Sequence, residues 1–464
     1  MAENTLERDV VVVGAGMAGL VAAVRATKHD ASVTVLEKGS RVGGSMYLSH
    51  GYIWTYESLE AAREAIPHGN PELQGIVIDS LEDGLAWLEE LGVGLKEMDI
   101  DLPKGQKMEP PQFIDVMTEI LEEAGNEVRL RTPMKRLRVD DAGSICGVVA
   151  TDASGETVRI NADSVVLATG GFQGNEQLVE RYITDHPENL WLRANPWSTG
   201  DGILEARRAG AKTTLGFGTF YGHNLLAPPA EFSPIEFGQA TQYYGIHALA
   251  IDENGRRYTD ESESALEESL TQDTAKKAAG RAWYIVDQDL YETDIREGRV
   301  GGIIEQAVEF GGNVIEADSL TELSELLEEA GTDGQRAVET IETFNEAIRQ
   351  GTAEDLEPPR EGNQRTFDTP PFYAVHVQPG ITTTGGGLDV TGNMEVLDRS
   401  NTSSSLDQYP ENMSEVFFTP IPGLYAAGID VGNINHRQYM GGLSTSLVTG
   451  RIAGKHAAEH GSGS

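Results

Sequence analysis

Three glycines and one glutamate near the N-terminus have the types and spacing that can hold a dinucleotide. Gly14, Gly16 and Gly19 form a Gly-x-Gly-x-x-Gly run, and Glu37 follows it. In this pattern the first glycine permits a tight turn, the second lets backbone approach a pyrophosphate, and the third lets a helix lie close to a strand. The helix N-terminus then faces the anion, and the acidic side chain accepts hydrogen bonds from the ribose hydroxyls. The residues favour nucleotide binding over the alternative, a glycine-rich turn without a ligand.

The glycine pattern indicates nucleotide binding only where it lies between a strand and a helix. Val10 to Val13 form a β-branched run that is typical of a buried strand, and apolar residues at 17, 20, 21 and 24 recur at helical spacing. Residues 33–36 form the next predicted parallel strand, which Glu37 ends. The context that the glycine pattern needs is therefore predicted on both sides.

Similar strand-to-glycine transitions recur along the chain. Residues 162–172 and 421–428 each read as a buried strand that runs into glycines, and residues 199–203 open a helix. Between 127 and 160, alternating segments separated by Asp/Gly turns predict a small β-meander. Residues 220–370 are richer in acids and helix formers, which indicates an inserted domain.

The charge of the chain is strongly negative. The 464 residues contain 74 Asp and Glu against 35 Lys and Arg, a formal net charge of −39. This charge argues against nucleic acid and anionic membrane as partners. The single cysteine, Cys146, excludes an intrachain disulfide, an iron–sulfur cluster and haem attached through Cys-x-x-Cys-His. No His, Asp and Glu set has the spacing of metal ligands, so we expect no metal.

The N-terminal residues do not read as a secretory leader. A secretory leader begins with positive charge, whereas this segment contains the acids Glu3, Glu7 and Asp9 and one basic residue, Arg8. In addition, no apolar run reaches the length of about 20 residues that a membrane span needs. We therefore expect a cytoplasmic protein without membrane insertion.

The acidic composition predicts a halophilic protein whose folding and activity need salt. Because salt screens repulsion between surface carboxylates, the thermal unfolding midpoint should rise steeply between about 0.1 M and about 3 M KCl. Calorimetric unfolding across this range measures the effect. Unchanged stability in dilute buffer would contradict the prediction.

Taken together, these motifs resemble the FAD-dependent fumarate reductase/succinate dehydrogenase flavoprotein family, in its ketosteroid dehydrogenase and urocanate reductase-like branch. The resemblance runs in order over nearly the whole chain. It is carried by residues 14–19, 36–38, 43–45, 166–172, 199–203, 255–258, 384–388, 422–428 and 450–454. It implies an α/β fold. A Rossmann-like FAD-binding domain, with a parallel sheet plus β-meander, would span residues 1–219 and 371–464. An α+β capping domain would span 220–370, with substrate held where the two meet.

The resemblance also implies which residues hold FAD. The expected cofactor-binding residues are Gly14, Gly16, Ala18, Gly19, Glu37, Lys38, Gly43, Gly44, Ser45, Thr169, Gly170, Asp201, Gly428, Asp430, Ser446 and Leu447. Ser446 and Leu447 would begin a helix whose dipole stabilises the reduced flavin. Some relatives attach FAD through a histidine near the position of Ser45, and since a serine cannot do this, we expect noncovalent FAD.

The chain departs from the family pattern at the substrate. Thr383 stands where fumarate reductases have a carboxylate-binding histidine, and residues 261–266, including Ala265, lack the proton-donating arginine. We therefore expect hydride transfer between flavin N5 and a carbon–carbon bond next to a carbonyl or carboxylate, but not fumarate itself. The catalytic candidates are Arg437, Tyr439, His436, Tyr244, His247 and His50, with His223 as a looser match.

Alternatives stay open for these residues and for the function. The residues of 433–442, Tyr244 and His247 could instead be packing residues. A non-catalytic flavin-binding subunit, or a flavin oxidase or monooxygenase, are alternative functions. Because the chain has no second Gly-x-Gly-x-x-Gly for NAD(P)H, we expect a small-molecule substrate and a separate electron carrier.

Overall fold

The computed structural model describes residues 4–100, 102–263, 267–402 and 418–461. The chain forms two compact units. Unit 1 contains Met1–Asn175, Asn195–Thr219 and Thr383–Ser464, and unit 2 contains Glu176–Ala194 and Phe220–Thr382. Ala265, which stands where the family arginine was expected, lies outside the described residues.

Helices and strands alternate through much of unit 1. Its strands are β1 (Asn4–Val13), β2 (Val33–Leu36), β3 (Tyr52–Thr55), β4 (Leu95–Lys96), β5 (Lys104–Met108), β6 (Glu127–Arg129), β7 (Met134–Val139), β8 (Ile145–Thr151), β9 (Thr157–Leu167), β18 (Glu395–Thr402) and β19 (Phe418–Ala426). Its helices are α1 (Met17–Thr27), α2 (Leu59–Ala65), α3 (Pro71–Glu90), α4 (Pro110–Glu123), α6 (Asp201–Arg208) and α13 (Gly442–Gly461).

An eight-stranded sheet forms the centre of unit 1. Its strand order is β18-β19-β9-β1-β2-β6, with β7 and β8 joined to β9. The pairs β1–β2, β1–β9, β9–β19 and β2–β6 are parallel. The β7-β8-β9 extension is antiparallel and confirms the predicted meander. The segment that begins at Glu127, which we expected in the meander, instead forms β6, because it pairs in parallel with β2. Val10, Val11 and Val12 are completely buried at its centre, which explains their continuous apolar run.

Helices α1 and α13, from opposite ends of the chain, approach each other through glycines. A Cβ placed on Gly450 would lie 2.6 Å from the carbonyl oxygen of Ala18, and one on Gly454 would lie 2.2 Å from that of Ala22. Larger residues at these two positions cannot be accommodated without moving backbone. The two termini therefore share one closely packed layer against the sheet.

Unit 2 is built around a mainly antiparallel sheet with helices. Its strands are β10 (Trp191–Leu192), β11 (Phe220–Leu226), β12 (Leu249–Asp252), β13 (Ala282–Asp287), β14 (Asp294–Ile295), β15 (Gly298–Arg299), β16 (Val314–Ala317) and β17 (Phe372–Thr384). Its helices are α5 (Glu176–Tyr182), α7 (Phe237–Ala240), α8 (Glu268–Lys277), α9 (Gln288–Tyr291), α10 (Val300–Glu309), α11 (Leu320–Glu329) and α12 (Gly334–Gln350).

The sheet of unit 2 has the order β10-β17-β13-β12, with β11 and β16 also paired to β17. The pairs β12–β13, β13–β17 and β16–β17 are antiparallel, and β10 pairs with β17 in parallel. The core that covers this sheet includes Trp283, Tyr284 and Phe344, each at most 1% exposed. Unit 2 thus has a hydrophobic core of its own.

The predicted α/β class with a parallel sheet is confirmed. The boundaries that we drew at 219/220 and 370/371 stay a prediction. In the structure, Glu176–Ala194 and the stretch up to Thr382 group with unit 2. Strand β17 accounts for much of this second difference, because its residues 372–377 pair with β13 and β16 and its residues 380–381 pair with β10, all strands of unit 2.

Candidate functional site

The turn after β1 is shaped by two glycines that the protein itself requires. Gly14 has a φ of +105°, and a Cβ there would lie 2.2 Å from the carbonyl oxygen of Ala168. A Cβ on Gly19 would lie 1.8 Å from the carbonyl oxygen of Gly14. These contacts bring α1 close to the end of β1, as the sequence pattern predicts.

Gly16 differs from its two neighbours in the motif. Its φ of −76° is ordinary, and a Cβ there would find its nearest heavy atom, the Cα of Gly44, 4.0 Å away. The protein therefore has no steric need for a glycine at this position. The open space lies before the first residue of α1, where a helix N-terminus favours an anion. A pyrophosphate fits this arrangement, because only glycine would let it approach the backbone.

Glu37 lies beside this turn, at the end of β2. It is 5% exposed, and its two carboxylate oxygens accept hydrogen bonds from the backbone N–H of Ala15 at 2.9 Å and of Gly39 at 2.6 Å. A carboxylate has about four acceptor positions, so these bonds orient the group and leave capacity for hydroxyl donors.

Lys38 and Asp201 are brought together across unit 1. The Nζ of Lys38 lies 2.8 Å from Oδ2 of Asp201 and donates a second bond to Thr199. Both charged side chains are about one third exposed. The pair fixes the start of α6 beside the segment that follows β2.

Gly43, Gly44 and Ser45 form the next part of the cradle. Gly43 has a φ of +105° and donates its N–H to Ala15 O at 2.8 Å. The Ser45 hydroxyl oxygen accepts a bond from the backbone N–H of Asn195 at 3.1 Å. This segment therefore lies directly against the turn after β1.

Asp430 is a buried acid that ties together two of the predicted segments. Its carboxylate, which is fully buried, accepts bonds from the N–H of Thr169 at 2.5 Å, the Thr169 hydroxyl at 2.8 Å and the N–H of Gly171 at 3.2 Å. Burial raises the pKa of Asp430, and these bonds oppose the rise. Gly170 and Gly428 adopt positive φ values of +86° and +65° on either side of this junction.

Ala18 and the helix α13 complete the region. A Cβ on Gly428 would lie 2.8 Å from the Cβ of Ala18. The expectation that Ser446 and Leu447 begin a helix is wrong, because α13 begins at Gly442. Gly441, with a φ of +93°, sets the turn, and Thr445 N–H already bonds Gly441 O at 3.0 Å. Ser446 and Leu447 are therefore buried inside the second turn rather than at its start.

The loop before α13 holds Arg437 in a strained conformation. Its φ is +60°, and Asn433 in the same loop has a φ of +64°. Such values cost non-glycine residues about 1–3 kcal/mol and persist where surrounding contacts hold them, often at functional sites. Asn433 O accepts the N–H of Asn70 at 2.6 Å, and Ile434 O accepts the Gln74 side chain at 3.1 Å. These bonds anchor the loop on α3.

The two neighbouring candidates, Tyr439 and His436, are half-buried. The Tyr439 hydroxyl oxygen accepts the N–H of Gly442, the first residue of α13, at 2.5 Å, and its ring packs edge-on to Trp54 at 6.0 Å. The His436 ring lies 5.4 Å from that of His68. Loop 436–439 and the nucleotide turn belong to the same unit.

His50 lies elsewhere in unit 1. It is exposed and precedes β3, with its ring 6.3 Å from the Tyr52 ring. Its proposed role as an acid or as a pocket wall stays a prediction.

In unit 2, the predicted candidates Tyr244 and His247 have different surroundings. Tyr244 is completely buried, packs edge-on to Tyr284 at 5.8 Å and donates to the Gln242 side chain at 3.0 Å. These contacts support the packing alternative for Tyr244. His247 lines a cavity of unit 2, and burial lowers its pKa, with Arg360 and Arg365 adding to the effect.

Sequence reasoning missed one residue of that cavity, Glu267. It is 2% exposed and lies 3.5 Å, between Oε2 and Nδ1, from His223. Because the chain contains 74 acidic residues, one more glutamate gives no signal in the sequence. Only the burial distinguishes it.

Within the described ranges, no group of three or more His, Cys, Asp and Glu side chains is arranged to hold a metal ion. Over the same part of the chain, none of the helices combines the length and the apolar character needed to cross a bilayer.

Known proteins share this architecture. The family model described as FAD binding domain matches residues 9–445. A probable fumarate reductase of Shewanella frigidimarina is 27% identical over 97% of this chain and 75% of its own length. Vinyl phenol reductase of Lactiplantibacillus plantarum is 26% identical over 97% of this chain and 96% of its own. The 3-ketosteroid delta1-dehydrogenase of Sterolibacterium denitrificans has the same fold, with a TM-score of 0.73, 19% identity, and coverage of 98% and 99% of the two chains.

Proposed function

We propose, from the premise that this chain belongs to the FAD binding domain family and is an FAD-dependent oxidoreductase, that it acts on a carbon–carbon bond next to a carbonyl or carboxylate. The observation that carries the proposal is the strained, half-buried Arg437 on a loop that leads into α13, in the unit with the open Gly16 turn. Relatives named as a vinyl phenol reductase and a probable fumarate reductase support action on a carbon–carbon double bond, and fumarate is the one of these two compounds that carries carboxylates.

The residues of unit 1 would hold FAD as follows. The pyrophosphate would lie against the backbone of Gly16 and the start of α1, and Glu37 would accept the ribose hydroxyls. Lys38, Gly43, Gly44, Ser45, Thr169 and Gly170 would line the rest of the cofactor. We propose noncovalent binding, since Ser45 cannot form the histidyl link. When bound, FAD supplies hydride transfer at N5.

The chain's own groups would handle the polar part of the reaction. The Arg437 guanidinium, always charged, would polarise the carbonyl or carboxylate beside the reacting carbon. The Tyr439 phenol oxygen accepts the Gly442 N–H, and the phenol would supply the proton that general acid catalysis requires. Thr383, which is buried, cannot provide the positive charge of the histidine that it replaces. We therefore propose that fumarate is not the substrate.

A small-molecule substrate and a separate electron carrier complete the proposal. The carrier is proposed because the chain lacks a second dinucleotide motif for NAD(P)H.

The test is anaerobic reoxidation of the reduced protein. The flavoprotein, reduced with dithionite, is mixed with cyclohex-2-enone, a 3-ketosteroid, urocanate or cinnamate, and its absorbance is followed. Reoxidation by one of these compounds is expected, because each carries a carbon–carbon double bond conjugated to a carbonyl or carboxylate. Reoxidation by oxygen alone would contradict the proposal and favour an oxidase or a flavin-binding subunit without catalysis.

A further inference from the structure

Unit 2 contains a cavity of about 160 Å³ in which an acid is buried. The cavity is lined by Tyr243, Ile246, His247, Glu267, Ile295, Arg296 and Glu297. A cavity of about 150 Å³ can hold a molecule of the size of benzene, so this one suits a small ring compound. The acid is Glu267, which precedes α8.

One carboxyl oxygen of Glu267 is held and the other is not. Oε1 accepts the N–H of Gly245 at 2.7 Å. Oε2 is buried without a hydrogen-bond partner among the described residues, and so is Nδ1 of His223, 3.5 Å away. This distance is too long for a good hydrogen bond. Two facing polar atoms are therefore buried together without a partner, which natural structures rarely leave unexplained.

The protonation states of this pair are set by burial. Burial raises the pKa of Glu267 far above its usual value, and it lowers the pKa of His223 far below its usual value. The pair is therefore a carboxylic acid beside a neutral imidazole rather than an ion pair. Nε2 of His223 is already engaged with the Tyr221 hydroxyl at 3.0 Å. Glu267 is left with an O–H to donate.

The backbone of Glu267 has a conformation that a glutamate disfavours. Its φ is +66° and its ψ is 0°, a left-handed conformation that glycine or asparagine adopts more easily. Strain of this kind persists where the surrounding structure imposes a side-chain position.

The cavity does not offer a free cation to a carboxylate ligand. Arg296 lies in it, but both its Nε and its Nη2 contact Oε1 of Glu297, at 2.6 Å and 2.5 Å. The charge of Arg296 is therefore already matched by Glu297. The described lining residues therefore suit an uncharged acceptor better than an anion.

We infer that Glu267 is the hydrogen-bond donor of a binding site for the carbonyl oxygen of an uncharged compound. A buried carboxylic acid can serve as such a donor at neutral pH in an apolar site. Binding by this cavity stands on the geometry of unit 2 alone. The further step, that the bound compound is the substrate, rests on the proposed function. In that case the cavity would select enones over unsaturated carboxylates.

Calorimetric titration of the holoprotein with a matched pair of probes tests the inference. Cyclohex-2-enone and cyclohex-1-ene-1-carboxylate present a similar ring and differ in charge. We expect the enone to bind at least about tenfold more tightly, because the carboxylate would be buried without an unpaired cation among the described lining residues. Equal or tighter binding of the carboxylate, or no binding of the enone, would overturn the inference.

Two substitutions separate hydrogen bonding from folding. Glu267→Gln keeps an uncharged donor of the same shape, so enone affinity should stay within a few-fold. Glu267→Met keeps the length without the donor and should lose about tenfold or more. Glu309→Gln and Glu309→Met, on an exposed acid of α10, are the matched controls. If Glu267→Met bound the enone as the wild type does, the donor role would be wrong.

The pH dependence gives a second readout. Because the donating form of Glu267 is protonated, wild-type affinity should fall as pH rises through its raised pKa, whereas Glu267→Gln should show no such loss. A parallel fall in Glu267→Gln would contradict the assignment. The titratable and charged groups around Glu267 are His223, Tyr243, Tyr244, His247, Glu268, Tyr284, Arg193, Arg296 and Glu297.

The two proposals fail in different ways. The enone could bind in a way that depends on Glu267 and yet not reoxidise the reduced flavin. This outcome would contradict the proposed function and support the binding site. Reoxidation by the enone that is unaffected in Glu267→Met would leave the function intact and remove Glu267 from it.

Discussion

Replacing Arg437 by alanine should lower the rate of substrate-dependent flavin reoxidation by about 10²–10⁴-fold, because a charged donor at the reacting centre is worth that much. The flavin absorbance of the purified protein should not change, since Arg437 lies outside the turn that we propose holds the cofactor. Stopped-flow reoxidation of the dithionite-reduced protein measures the rate. Tyr439→Phe, which removes only the phenol oxygen, should have an effect of similar size.

Two controls keep this result interpretable. Arg399→Ala removes an exposed arginine of the same unit and should leave the rate unchanged. Arg437→Gly relieves the left-handed strain at φ +60°, so the protein should be no less stable while the rate is still lost. Full rates in both Arg437→Ala and Tyr439→Phe on the identified substrate would show that the reaction takes place elsewhere.

Gly16→Ala should impair FAD binding, whereas Gly19→Ala should impair the stability of the apoprotein. At Gly16 the added methyl group has no protein neighbour within 4.0 Å, so the apoprotein should keep its stability while the FAD dissociation constant rises about 10- to 100-fold. At Gly19 the methyl group would lie 1.8 Å from backbone, so the apoprotein itself should lose about 3 kcal/mol of unfolding free energy.

Fluorescence titration of apoprotein with FAD, together with urea unfolding of the same apoprotein, separates the two effects. Ala18 is a useful reference, because it already carries the methyl group and is buried between the two glycines. Loss of apoprotein stability in Gly16→Ala, or unchanged FAD affinity there, would show that the pyrophosphate does not approach this backbone.

The nucleotide-binding half of the fold was predictable from sequence because its signals are local. The buried run Val10–Val13, the glycines of the turn and Glu37 lie within one strand–helix–strand unit, and the structure joins them in parallel register. The meander was predictable for the same reason, since its two hairpins carry Asp/Gly turns. Short-range geometry of this kind is specified by few residues.

The features that we could not predict from the sequence depend on contacts between distant segments of the chain. The start of α13 was misplaced because Gly441 takes its conformation from Trp54, almost 400 residues earlier in the chain, whose carbonyl a Cβ would meet at 1.9 Å. Asp430 is held by Thr169 and Gly171. Its bonds to this turn are visible only once the two segments meet.

The packing of α13 on α1 through Gly450 and Gly454 has a consequence for how the protein is made. The nucleotide turn is synthesised before most of unit 2, whereas β19 and α13, which complete its sheet and cover its helix, are synthesised after it. The sheet of unit 1 can therefore be completed only after unit 2 has been synthesised, and we expect flavin binding to wait for β19 and α13. A nascent chain stalled before residue 442 should not retain flavin.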